Sequence, residues 1–97
     1  MSPRKREIEA AIAAYNATDR EVMLPPEAVR LLAVMFPRST VCQRSLKDLE
    51  AEGFDRRALP RLLRALAEAG FLSKEAPSRR GHVPNIYRLH LPPLVQP

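Results

Sequence analysis

Residues 55–75, DRRALPRLLRALAEAGFLSKE, set Arg56, Arg57, Arg61 and Arg64 within ten positions of a stretch otherwise rich in leucine. The planar guanidinium fork of arginine gives two parallel hydrogen bonds to a phosphate or to the edge of a guanine. At about 100° per residue, Leu59, Leu62, Leu66 and Ala69 share one side of a helix, with Leu63 on its flank. Arg57, Arg61 and Arg64 then fall within about 60° of one another on the opposite side. The ordinary alternative is a solvated basic face. Such faces interleave acids four residues on, and here only Glu68 does so.

Further cations gather nearby in sequence. The stretch APSRRGHVP carries Arg79 and Arg80 beside His82, where a basic loop can clamp phosphates without reading bases. Arg88, on the face of NIYRLHL opposite Tyr87 and Leu89, is a further candidate phosphate contact. Arg44 and Lys47 flank the start of SLKDLEAEG as candidate backbone contacts, although Lys47 has Glu50 nearby as a partner. The charge balance has the same direction. Residues 1–52 hold equal numbers of basic and acidic side chains, so the whole net charge of +5 lies in residues 53–97. There only Asp55, Glu68 and Glu75 oppose eight Lys and Arg. A one-sided basic excess in a small domain favours a polyanionic partner, most often nucleic acid.

Other chemistry finds little footing. His82 and His90 have no carboxylate at ligand spacing and Cys42 is the single cysteine, so no metal site is expected. No glycine-rich phosphate loop, nucleophile elbow or carboxylate pair is present. The expectation is a non-enzyme with no cofactor and no small-molecule ligand. Cys42 reads as a small core residue in a reducing compartment. No apolar run nears a membrane span and MSPRKREIEAAIAAY lacks a signal-peptide core, so a soluble, cytoplasmic protein without a membrane partner is expected.

The elements that must position these side chains follow from punctuation and periodicity. SPRKREIEAAIAAYN predicts a helix capped by Ser2, with Pro3 at its first position and Ile8, Ile12 and Tyr15 as an apolar stripe. LPPEAVRLLAVMFP predicts a second helix, opened by Pro25 and Pro26, closed before Pro37 and apolar nearly all round. TVC suits one short strand. Ser45 and Asp48 form a capping-box pattern, with Leu46 and Leu49 expected inward. Gly53 ends that helix, Asp55 caps the arginine-bearing one and Gly70 stops it. FLSKE and NIYRLHL predict a hairpin with a long basic loop, and PPLVQP a frayed tail.

The stretches CQRSLKDLEAEGF, RALPRLLRALAEAGFLSKE and NIYRLHL resemble the positioning helix, recognition helix and wing of a winged helix-turn-helix. The resemblance runs from LPPEAVRLLAVM to NIYRLHLPP and is nearest to small bacterial versions in phage and plasmid replication proteins and compact transcriptional regulators. It implies a mainly α fold with a small β-hairpin, to which the N-terminal periodicity, outside the resemblance, adds an extra helix. It also implies a recognition helix in the major groove of double-stranded DNA and a wing on backbone or minor groove. Residues 1–20 would be the extra helix, 21–92 the winged domain and 93–97 a flexible tail. The sequence departs from the family at Pro60, which removes a backbone donor and disfavours helical geometry at Leu59, so either the first turn is distorted or the regular helix starts after Asp55. The turn between the two helices is also about one residue short. Winged helices serve as protein-interaction modules too, and a piece of a replication initiator is a further alternative. For the N-terminal stripe, the expectation is a homodimer, with packing on the chain's own core as the alternative.

Overall fold

The structure is a computed structural model of the chain and describes residues 3–18, 23–75, 85–91 and 93. Four helices and three strands follow in the order α1 (Pro3–Ala17), α2 (Pro26–Met35), β1 (Val41–Cys42), α3 (Leu46–Glu50), α4 (Ala58–Glu68), β2 (Leu72–Glu75) and β3 (Ile86–Leu89). The fold is mainly helical with one small antiparallel sheet, in the strand order β1-β3-β2. TVC thus supplies a third strand to the expected hairpin. Val41 faces Arg88 and Cys42 faces Tyr87 across β1 and β3, while Leu72 faces Leu89 and Lys74 faces Tyr87 across β2 and β3. The joining residues 76–84 lie outside the described residues, as do Ser2, Arg79, Arg80, His82 and most of the tail.

Most local signals act as their chemistry predicts. Pro25 caps α2 and Pro26 occupies its first turn, where a missing N–H leaves no bond unmade. Ser45 Oγ accepts from the Asp48 N–H at 3.1 Å, and Asp48 Oδ2 accepts from the Ser45 N–H at 3.2 Å, completing the capping box. Asp55 Oδ1 accepts from the Arg57 N–H, and the Asp55 carbonyl accepts from Ala58 and Leu59. Asp55 therefore starts a turn rather than capping α4 itself: regular helix begins at Ala58, with Arg57 at its N-cap and no side-chain cap. Pro60 falls where α4 has only begun, so the lost donor costs little. At the far end Gly70 takes φ +91°, and the Phe71 N–H returns to the Leu66 carbonyl at 3.0 Å. That closure turns the chain directly into β2.

One core joins all the layers. Ile8, Ile12, Leu31, Leu32, Phe36, Leu49, Leu59, Leu66 and Phe71 are all buried, and buried Cys42 and Leu89 extend the cluster onto the sheet. Leu46 departs from expectation. It is the first residue of a five-residue helix and is 45% exposed, so the end of α3 is not covered as Leu49 is. The α1 stripe is consumed within the chain: Ile8 and Ile12 are buried, and the Tyr15 ring meets Phe71 edge-on at 5.8 Å. Asn16 fastens the end of α1 to the chain before α2. Its side-chain amide donates to the Leu24 carbonyl at 3.0 Å and accepts from the Leu24 N–H at 2.8 Å. The stripe expected to form a dimer contact is thus covered by the protein's own core.

Two substitutions measure that burial. Ile8→Ala is expected to cost about 2–5 kcal/mol in urea denaturation, as for other fully buried branched aliphatics. Ile8→Asp combined with Ile12→Asp should leave no folded monomer by circular dichroism, because two carboxylates would enter an apolar core unpaired. A well-folded double variant would show that α1 is dispensable.

Candidate nucleic-acid interface

Helix α4 is where the sequence and the packing meet. Leu59, Leu62, Leu63 and Leu66 are buried, and Arg57, Arg61 and Arg64 are exposed. The two faces are separated as the helical wheel requires. Among the described residues Arg57, Arg61 and Lys47 make no ion pair. Arg56, Arg64, Arg44 and Arg88 do. Arg64 Nε stands 3.6 Å from Glu68 Oε1, one turn on, and Arg56 Nε reaches back to Glu50 at 3.6 Å. Arg44 lies 3.8 Å from Glu52, and Arg88 Nε donates to Glu75 Oε1 at 3.0 Å. Glu50 therefore serves Arg56 rather than Lys47.

The sheet sorts its own cations. Because side chains alternate, Lys74 shares a face with buried Leu72, and Tyr87 shares it with buried Leu89. Arg88 pairs across from Ser73 and Val41 on the other face, away from α4. Arg88 is thus separated from the arginine face of α4, whereas Lys74, not singled out in the sequence, stands beside it. Burial pushes the Tyr87 phenol above its ordinary pKa of 10.0, with the Asn85 side-chain hydrogen bond opposing and Cys42 adding to the rise. The hydroxyl stays protonated through the neutral range. Arg79 and Arg80 lie outside the described residues.

Sequence reasoning also missed Arg30 on α2. Its Nη2 donates to the Glu52 carbonyl at 2.9 Å, and its guanidinium lies over the Phe54 ring at 4.6 Å. Between these two contacts sits Gly53 at φ +99°, where an added Cβ would come within 3.0 Å of Arg30 Nη2. One side chain thus holds the turn that joins α3 to α4 and sets how α4 is presented. A signal was available: Arg30 is the single cation in the otherwise apolar run of α2. Among the described residues no three His, Cys, Asp or Glu side chains gather as metal ligands, and no helix is long and apolar enough to cross a membrane.

The chain matches no protein-family model, no curated protein and no solved structure.

Arg30→Met keeps an apolar stem beside Phe54 but removes the donor and the charge. It is expected to cost about 1 kcal/mol in denaturant unfolding. It should also speed amide exchange at Gly53–Leu59 more than in α1. Gly53→Ala should be costlier than a substitution at most exposed positions, since it adds a left-handed strain to the contact with Arg30. Uniform exchange across the chain in Arg30→Met would show that the contact does not hold the turn.

Proposed function

We propose that this protein binds double-stranded DNA as a winged helix-turn-helix, with α4 entering the major groove. The reading fits a small regulator or an accessory factor in a DNA transaction. The observation that carries it is the face of α4, where Arg57 and Arg61 stand exposed and, among the described residues, without an ion pair, directly opposite the leucines that anchor the helix. The order helix, strand, helix, turn, helix, hairpin over residues 26–89 supports it, as does a sheet in which β1 joins the β2–β3 pair. In this reading α3 crosses the backbone and its turn, held by Arg30, aims α4.

The arginines then take different parts. Arg57, Arg61 and Arg64 face the groove, where a bidentate contact to guanine discriminates by about 1–3 kcal/mol. Arg56 and Arg44 meet backbone. Arg79 and Arg80, which the sequence puts in the β2–β3 connection, add phosphate contacts without base selectivity. Affinity comes mainly from released counterions, so it depends steeply on salt.

Titration of duplex DNA across salt concentrations tests the proposal. With roughly five phosphate contacts, log K should fall with log salt at a slope of about −4 to −5. On a site selected from a random duplex pool, Arg57→Ala or Arg61→Ala should cost about 1–3 kcal/mol and relax base preference. Arg79→Ala should weaken binding to all sequences alike. A wild-type protein that binds no duplex at about 50 mM salt would refute the DNA reading and leave a protein-interaction module in its place.

A further inference from the structure

Beside α4 the surface is hollowed rather than flat. A groove of about 480 Å³ opens between the start of α3, one flank of α4 and the inner face of the sheet. Leu63 is buried at its base with Ala67 and Tyr87 half-buried, while Arg64 and Lys74 stand exposed at its edge. A second depression, of about 380 Å³, runs on from it past Arg44 and Lys47. The two share Leu46, Asn85 and Tyr87, so they form one continuous track. Every charged side chain that lines either part is basic: Arg44, Lys47, Arg64 and Lys74. No carboxylate lines them among the described residues.

We propose that this track seats one sugar–phosphate strand of the DNA, with Lys74 and Lys47 as its phosphate contacts and Leu46 and Tyr87 against its sugars. The inference rests on the DNA reading and goes further, because it moves the sheet's backbone contact from Arg88 to Lys74. Charge complementarity calls for a polyanion. Continuity selects a nucleic acid strand over a short acidic peptide: Arg64 belongs both to the track and to the outward face that carries Arg57 and Arg61. A helix in the major groove has a phosphate backbone along each side, and the track lies along one flank of α4. The exposed Leu46 has no polar group to offer, which suits the apolar rim of a deoxyribose. The Tyr87 hydroxyl, protonated at neutral pH, supplies a neutral donor in the middle of the track.

Salt titrations of the full chain on a random 20-base-pair duplex separate the possibilities. Lys74→Ala and Lys47→Ala should each remove about one unit of salt slope. Each should also weaken binding roughly five- to tenfold near 0.1 M salt. Leu46→Ser should weaken binding a few-fold with the slope unchanged, because it removes an uncharged contact. Arg88→Ala should leave slope and affinity as they are. All four side chains are exposed, so each variant is expected to fold, with circular dichroism as the check. If Arg88→Ala lowers the slope while Lys74→Ala and Lys47→Ala do not, the strand lies elsewhere and the track is overturned with DNA binding intact. If the wild type binds no duplex, both readings fall. Binding of a glutamate- and leucine-containing peptide that Lys74→Ala abolishes, without duplex binding, would assign the track to a protein partner instead.

Discussion

Burial of the α4 leucines is the constraint from which the rest of the molecule follows. Leu59, Leu62, Leu63 and Leu66 lie in one core with Leu49, Phe71 and the α1 and α2 side chains. Burying four leucines side chain by side chain is worth about 1.5–3 kcal/mol each in area removed from water. Nothing in α4 competes with that. Once the leucine face is fixed inward, the helical period leaves Arg57, Arg61 and Arg64 no other direction than outward. The basic face is therefore a consequence of packing. The core beneath it fixes where those side chains leave the helix backbone.

Such a face is useful only if the helix is also held at a fixed angle, and that depends on the chain on either side. At the C-terminal end the Phe71 N–H closes onto Leu66 and Phe71 itself is fully buried, so β2 leaves α4 along a single path. At the N-terminal end the turn is longer and more exposed. Here α2 intervenes through Arg30, which bridges 22 residues to the Glu52 carbonyl and covers Phe54. Arginine suits that task better than lysine, since one planar group can stack on a ring and donate at its edge together. The α2 helix, buried for other reasons, so serves as the fixed point for the α3–α4 turn.

How much of this was legible in the sequence depends on the range of each interaction. The Ser45–Asp48 box, the Pro25–Pro26 start and the Gly70 stop act within a few residues, and their residue types declare them. The two-faced character of α4 is equally local. An apolar residue three before Leu49 matches a helical stripe and predicts Leu46 inward, but periodicity does not say whether another element covers the first turn of α3, and Leu46 is 45% exposed. The α1 stripe was visible, yet periodicity says only that Ile8 and Ile12 must be covered, not by what. Asn16 to Leu24, Arg30 to Glu52 and Arg88 to Glu75 join positions whose spacing carries no periodic signal. The face that Arg88 occupies follows from the alternation within NIYRLHL, whereas the neighbours of Lys74 depend on the register of β2 against β3, which no local pattern declares.

The ion pairs around the interface bear on how an anion can be accommodated. Arg44, Arg56, Arg64 and Arg88 each stand within 4 Å of a glutamate, and the side chains of Arg56 and Arg64 are more than 80% exposed. Exposed pairs of this kind contribute about 0–1 kcal/mol, since solvent and salt screen them and two long side chains must be ordered. Releasing Arg64 from Glu68 to a phosphate therefore costs little. The same pairs keep carboxylates close to the surface that an anion would approach, so weak or misplaced anions gain little from it. Arg57, Arg61 and Lys47 have no such competitor among the described residues. On the proposed DNA reading, the unpaired cations would set where a phosphate first docks, and the paired ones would respond once it is in place. Arg88 differs in degree: its 3.0 Å bond to Glu75 ties β3 to β2 on the sheet's outer face, which makes it a cross-strand brace rather than a reserve of free charge.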